Sequence, residues 1–306
     1  MQKQTIIISG PTAVGKTNIA IELCREIDAE IISADSRQVY KYLDIGTNKE
    51  GILSKDGTRY VSDIPQYLTD IIEPDKKYST KKFEQDSEKT EKQILQKGKT
   101  PIVVGGTGLY IKSFLYGLDD LPDGDESIRQ KIQNDIEKNG LNFVYEQLLA
   151  VDKQSATKNK GNTQRIIRAL EVYKITGKTI TDLLNKKQIK SKEFKHFVIL
   201  KDRDILYKDI NLRCERMINS GMVEETQKVL KMGFKEDSPA LTGVGYKHII
   251  QYLNNKISKQ ELIDKFSTDT RQYAKRQITW FKSQPNVIFI DASKKQVYSE
   301  LLSQIH

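Results

Sequence analysis

The chain has only two cysteines and three histidines among its 306 residues. Cys24 and Cys214 lie far apart and in no metal-like spacing, which argues against a disulfide scaffold and against a zinc site and fits a reducing compartment. Long hydrophobic runs are missing as well. Nothing approaches the ~20 apolar residues that span a bilayer, so no membrane attachment is expected. The first apolar run, Thr5–Ser9, begins almost at Met1, which leaves no room for a targeting peptide and points to a cytoplasmic protein. No internal repeat or low-complexity tract breaks the chain.

What is present is the composition of a globular protein: 37% hydrophobic and 30% charged residues. At roughly 100–200 residues per domain the length predicts about two domains. Lys and Arg number 50 against 41 Asp and Glu, a net charge of +9, which is a mild argument for an anionic partner.

Hydrophobic patterning supplies the architecture. Thr5–Ser9, Glu30–Ala34 and Pro101–Val104 are short β-branched runs of the kind buried in parallel sheets. Helical patterns separate them at Lys16–Glu26 and Phe83–Lys97. After Gly117 an acidic, turn-rich stretch opens a region with helical patterns alone as far as Lys195. Phe197–Leu200 and Val287–Ile290 are further strands, with helices between them. The expected fold is α/β: a core with a parallel sheet at residues 1–117 and 196–306, interrupted by an all-helical insertion at 118–195. Residues 151–200 hold twelve Lys and Arg against four Asp and Glu, nearly the whole net charge. That concentration favours a polyanion-binding insertion over an ordinary solvated surface.

The sharpest motif is Gly10-Pro11-Thr12-Ala13-Val14-Gly15-Lys16-Thr17, which matches G-x-x-x-x-G-K-[ST] between a strand and a helix. Glycines let the backbone aim its amides inwards, and the helix N-terminus adds positive potential. Lys16 neutralises phosphate oxygens, and the Thr17 hydroxyl can ligate Mg²⁺. The motif specifies a di- or triphosphate but not a reaction. A nucleotide hydrolase also needs an acid at a strand end. The strand at 102–104 ends in Gly105-Gly106-Thr107-Gly108, which has none. Asp35 follows the second strand and therefore faces the same site. It is open to three roles: proton acceptor, support for Mg²⁺, or cap of a following helix.

Five long blocks then resemble one family. They are GPTAVGKT at 10–17, ISADSRQVYKYLDIGTNK at 32–49, PIVVGGTGLYIKSFLYGL at 101–118, TQRIIRALEVYKITGKTI at 163–180 and RQYAKRQITWFK at 271–282. In this order they resemble the tRNA dimethylallyltransferase (isopentenyl-diphosphate:tRNA transferase) family. The resemblance implies transfer of a dimethylallyl group from dimethylallyl diphosphate to N6 of the adenosine at tRNA position 37, with Mg²⁺ assisting the diphosphate. It implies Asp35 as general base, with Thr12, Lys16 and Arg213 also in the catalytic set. Residues 10–17 would cradle the diphosphate. Asp35, Ser36, Arg37, Gln38, Thr107, Arg129, Gln164, Arg165, Ile166, Ile167 and Arg168 would meet the anticodon stem-loop.

The residues are compatible with that reading. Arg165 and Arg168 share one helical face, and Ile166, Leu170 and Tyr173 share another. In 271–282, Tyr273, Trp280 and Phe281 read as core packing, with an Arg276–Trp280 cation–π contact in reach. Arg271, Lys275 and Lys282 are placed to meet RNA phosphates. Two positions depart from the family pattern. Gln66-Tyr67 stand where histidines are usual, and His248 stands where a glutamate is usual. A small-metabolite kinase and a non-enzymatic RNA-binding module are the rival readings. A monomer is expected, because tRNA is itself a large anionic partner.

Overall fold

The computed structural model describes residues 4–119, 121–184, 193–293 and 297–305. Eight strands form one sheet: β1 (Thr5–Ser9), β2 (Ala29–Ser33), β3 (Ile52–Leu53), β4 (Arg59–Val61), β5 (Ile64–Tyr67), β6 (Thr100–Gly105), β7 (Phe194–Leu200) and β8 (Ile288–Asp291). Their spatial order is β3-β4-β5-β2-β6-β1-β7-β8. β1, β2 and β6 are buried at every residue, as continuous apolar strands covered by helices must be. β1 is central, pairing in parallel with β6 on one side and β7 on the other. Ser9 is level with both Gly105 and Val198, so the carboxyl ends of these strands release their loops side by side. Open α/β sheets bind ligands at such ends.

The expected parallel sheet holds from β5 to β8 and fails at one edge. β3, β4 and β5 pair antiparallel, in a stretch where the sequence pattern predicts no strand. β3 is two residues long and β4 three. Such short strands show no periodicity. β7 begins at Phe194, two residues inside the stretch expected to be helical, because Phe194 and Lys195 pair with Thr5 and Ile6.

The chain divides into two units: Met1–Leu115 with Lys192–His306, and Tyr116–Ser191. In the first, Ile6, Ile8, Ile31, Ile102 and Phe197 of the sheet share a core with Ala20, Leu23 and Cys24 of the helix Lys16–Ile27. Both cysteines are buried and unpaired. The long helix Lys259–Lys282 opens with a capping box in which Ser258 and Glu261 satisfy each other's backbone amides.

In the second unit the described residues form helices only, at Glu126–Asn139, Leu141–Val151, Lys153–Lys158, Thr163–Thr176 and Ile180–Leu184. Asp125, Asp152 and Asn162 cap three of them through side-chain oxygens. Ile132, Val144, Leu148, Ile166 and Leu170 form its core. Asp120 of the acidic stretch and Lys186, Lys187, Lys190 and Lys192 of the basic one lie outside the described residues.

Candidate active site

Gly10–Thr17 forms the loop between β1 and the helix Lys16–Ile27. Its shape depends on glycine at two points. Gly10 has φ +146°, and a side chain there would overlap the Ile199 carbonyl oxygen in β7. Gly15 has φ +88° at the helix start. Ala13 also lies in the left-handed region, at φ 67°, which is strained for a residue with a Cβ. Val14 is buried, so its side chain is closed to a ligand. The Lys16 ammonium donates to the Pro11 carbonyl at 2.7 Å, which holds it over the loop. Burial lowers its pKa from 10.5 to about 8, with Asp35 opposing the shift and Arg213 adding to it.

Asp35 Oδ1 accepts from the amides of Arg37 at 2.8 Å and Gln38 at 3.4 Å. This resolves part of the ambiguity over its role. Residues 36–39 form a turn and no helix follows, so Asp35 caps a turn through one oxygen. Oδ2 accepts no hydrogen bond among the described residues. Beside it the Ser36 amide donates to Thr107 Oγ1 at 3.0 Å, and the Thr107 amide donates to the Ala34 carbonyl at 3.2 Å. The loops after β2 and β6 are thereby stitched together.

Gln277, on the C-terminal half of the helix Lys259–Lys282, fastens the glycine-rich loop to the loop after β6. Its Oε1 accepts from the Thr12 amide at 3.0 Å, and its Nε2 donates to the Gly106 carbonyl at 2.8 Å. Arg213, on the helix Arg203–Met217, donates to Thr12 Oγ1 at 2.9 Å. Burial lowers its pKa, with Asp35 among the charges that oppose the shift.

Three cavities meet around these groups. One of about 550 Å³ is lined by Lys16, Thr17, Asn48 and Arg213. A second of about 100 Å³ is lined by Thr12, Lys16, Thr17, Asp35, Arg213 and Gln277. The third, about 240 Å³, has Asp35 and Arg213 beside an apolar wall of Met217, Val244 and Phe266. Tyr273 lines the last two, so its reading as core packing is corrected to a cavity wall. Burial, with Asp35 adding, raises its pKa to about 12, and it stays a neutral donor. A charged anion cradle, a carboxylate and an apolar recess are thus adjacent. Such a site can hold a phosphorylated ligand with an apolar group and take up a proton beside it.

The other expected positions divide. Arg37 donates to the Pro239 carbonyl at 2.9 Å. Gln38 uses its carboxamide internally, accepting from Ser33 and Gln66 and donating to the carbonyls of Thr47 and Asn48. Gln66, at a departure from the family pattern, is therefore part of this bracing. In the second unit, Gln164 and Arg165 are exposed on the helix Thr163–Thr176. Ile166 and Ile167 are 0% and 8% exposed in the unit's core, so their side chains are closed to RNA. Arg168 and Arg129 both pair with Glu171, whose side chain is fully buried, and Arg168 also donates to the Pro122 carbonyl at 2.5 Å. Arg165 and Arg168 thus do not form the pair of free arginines that their spacing implied. In the first unit Arg276 lies over Tyr273, at 5.9 Å, in place of the expected Trp280. Lys275 and Lys282 are exposed, and Arg271 bonds Asn211 and Thr268.

The fold and site define a class: α/β proteins with a glycine-rich loop between a central strand of the sheet and the helix that follows it. A family model described as IPP transferase matches residues 38–284. The chain belongs to this family and is an enzyme, a prenyltransferase. It is 53% identical over 285 residues to the tRNA dimethylallyltransferase of Endomicrobium trichonymphae, covering 93% of this chain and 94% of the relative. The tRNA dimethylallyltransferase of Thermoanaerobacter sp. (strain X514) is 42% identical, covering 100% and 97%. Among solved structures, the Staphylococcus epidermidis tRNA Δ(2)-isopentenylpyrophosphate transferase matches at 35% identity with a TM-score of 0.70, over 99% of this chain and 98% of that one. A eukaryotic dimethylallyltransferase acting on tRNA matches at 27% identity and TM-score 0.80, over 98% and 77%.

Proposed function

We propose that the chain transfers the dimethylallyl group of dimethylallyl diphosphate to N6 of the adenosine at tRNA position 37, next to the anticodon. The observation that carries the reading is the convergence of Thr12, Lys16, Asp35 and Arg213 on one small cavity. The curated relatives named tRNA dimethylallyltransferase support both substrates.

In this reading the diphosphate lies on Gly10–Thr17, with Lys16 and Arg213 on its oxygens. The dimethylallyl group occupies the apolar recess beside Met217, Val244 and Phe266. The allylic C–O bond breaks, the N6–C bond forms, and diphosphate leaves with the bond's electron pair. Lys16 and Arg213 stabilise the charge that develops on the leaving oxygen. Asp35 takes the proton that N6 loses, through the oxygen not committed to the turn. The target base leaves its stack to reach an enclosed site, at a cost of a few kcal/mol. Exposed basic residues of the second unit, Arg165 with Lys153, Lys158, Lys160, Lys174 and Lys178, supply a surface for the RNA backbone.

Magnesium fits the donor set. No group of three acidic, His or Cys side chains able to hold a metal occurs among the described residues, so an all-protein cage is absent there. Mg²⁺ characteristically keeps waters and substrate phosphates around one or two protein ligands, and the Thr17 hydroxyl would be such a ligand. When bound, the ion would supply further charge neutralisation on the diphosphate. We also place the protein in the cytoplasm as a monomer. No described helix is long and apolar enough to cross a membrane.

The test is a transfer assay with radiolabelled dimethylallyl diphosphate, Mg²⁺ and bulk tRNA, with ATP replacing the prenyl donor in parallel. Label in tRNA with no ATP consumed is expected. ATP consumption without labelled tRNA would refute the reading and favour a kinase.

A further inference from the structure

One loop walls all three cavities. Asp44, Ile45 and Asn48 line the largest, Asn48 and Thr47 the smallest, and Thr47 and Gly46 the third. Residues 41–50 form turns without regular helix or strand, so the loop takes its shape from groups outside it. On one side Gln38 donates to the carbonyls of Thr47 and Asn48, both at 3.2 Å. The buried Lys49 ammonium bonds Asp70, Asp44 and the Tyr40 carbonyl.

Arg59 holds the Asp44 side chain at 2.9 Å, and the loop's backbone amides converge on a single carboxylate. The amides of Asp44, Ile45 and Gly46 all donate to Glu225, at 2.6, 2.7 and 3.1 Å. The Tyr246 hydroxyl adds a fourth bond at 2.8 Å. Successive amides turned to one point form an anion nest, and charge-assisted bonds of this kind are the strong ones. Here the anion is a side chain of this protein, contributed from about 180 residues along the chain.

Glu225 is also joined to the phosphate site through its own segment. The helix Arg203–Met217, which carries Arg213, runs through Ile218–Met222 into the helix Val223–Lys231, which carries Glu225. Gly221, at φ 103°, turns the chain between them. A single stretch, residues 213–225, therefore grips Thr12 of the phosphate loop at one end and the cavity-wall loop at the other.

We propose that Glu225, braced by Tyr246, is a positioning residue for the donor: it holds Asp44–Gly46 so that the cavity matches the diphosphate. The proposal rests on the donor reading above. It predicts an effect on donor binding with little effect on the chemical step, because Glu225 touches the wall and not the reacting atoms.

The experiment compares wild type with Glu225→Ala, Glu225→Gln and Tyr246→Phe in four measurements. These are KM and kcat with dimethylallyl diphosphate, calorimetric affinity for magnesium pyrophosphate, tRNA affinity, and hydrogen exchange of the amides of residues 44–46. Glu225→Ala is expected to raise the donor KM about tenfold or more and to weaken pyrophosphate binding by the same factor. It should leave kcat within about threefold and tRNA affinity unchanged, while the three amides lose protection. Glu225→Gln and Tyr246→Phe should change the same quantities in the same direction by smaller factors. They keep the test decisive if the alanine variant fails to fold. Unchanged donor KM and pyrophosphate affinity in the folded variants would overturn the proposal, as would a fall in kcat at constant KM. If wild type itself transfers nothing from dimethylallyl diphosphate, the donor reading fails. If wild type transfers and the variants bind pyrophosphate as tightly, the positioning role alone fails.

Discussion

Lys16→Met separates what the phosphate site does for the reaction from what it costs the fold. Burial depresses the Lys16 pKa from 10.5 to about 8. A tenfold change in proton affinity is worth about 1.4 kcal/mol, so keeping Lys16 charged destabilises the fold by about 3 kcal/mol at neutral pH. Methionine fills a similar volume without the charge, and loses only the bond to the Pro11 carbonyl, about 1 kcal/mol. The variant should therefore be more stable than wild type by about 1–3 kcal/mol at pH 7. Below about pH 8 lysine is protonated in both states, and the difference is full. Between about 8 and 10.5 the unfolded chain retains a proton that the folded chain has released, so wild-type stability rises with pH and the gap closes. Above 10.5 the burial cost has gone, and wild type keeps only the advantage of its bond to the Pro11 carbonyl, about 1 kcal/mol. Urea unfolding at about pH 7, 9 and 10.5 reads it directly, with equal m-values as the control. Prenyl transfer should be abolished and tRNA affinity kept. A variant less stable than wild type at pH 7, or a gap that ignores pH, would refute the argument about burial. Loss of tRNA binding would refute the assignment of Lys16 to the diphosphate.

Asp35→Asn should lower turnover by about 10²–10⁴ with tRNA affinity retained, measured by single-turnover transfer; a near-normal rate would reduce Asp35 to a turn cap. Arg165→Ala should flatten the salt dependence of tRNA binding by about one unit of slope without changing stability, and an unchanged slope would move the RNA surface elsewhere. Arg168→Ala should instead destabilise the helical unit by about 1–3 kcal/mol, since it leaves the buried Glu171 with Arg129 as its remaining ion-pair partner; a thermal scan showing no change would refute that structural role. Gln277→Leu frees the Thr12 amide and the Gly106 carbonyl together, so kcat/KM for the donor should fall about tenfold or more while tRNA affinity holds, and an unaltered value would show that the loop needs no such brace.

The central strands were legible because each is a short β-branched run followed by a turn or a helix pattern, and β1 with its glycine-rich loop carries its own motif. The antiparallel edge was not. Ile52 and Leu53 are 78% and 46% exposed, so no buried face marks β3. The signals that do exist are in the turns: Gly57 at φ +84° between β3 and β4, and Ser62 and Asp63, both at positive φ, between β4 and β5. A two-residue hairpin turn with both residues left-handed is the favoured connection, but Ser-Asp is not its common sequence. The site divides in the same way. Lys16 and Thr17 announce themselves locally, and Asp35 by its place after a strand. Glu225, Gln277 and Tyr273 reach the site from remote helices, where one glutamate, glutamine or tyrosine has no spacing to distinguish it. Arg168 shows the opposite failure. Helical spacing put it beside Arg165 correctly, but nothing local reveals that Glu171 is buried beneath it.

The sequence has no acid where β6 ends, and the packing there gives that absence a steric reason. A side chain at Gly105 would overlap the Ala34 carbonyl oxygen, and one at Gly106 would overlap the Gln277 carboxamide. The space beside the phosphate loop, where a nucleotide hydrolase places a metal-holding carboxylate, is filled by backbone and by a neutral amide. That amide faces two groups of opposite demand, the Thr12 donor and the Gly106 acceptor, and a carboxylate could satisfy only the first. Asp35, at the end of β2, sits one strand further away, with an oxygen held by the turn and the cavity's apolar recess alongside. In the proposed reaction Lys16 and Arg213 would face the diphosphate and Asp35 the incoming amine. This division suits displacement of a diphosphate by an amine, in which the anion departs from one side and a proton is collected on the other.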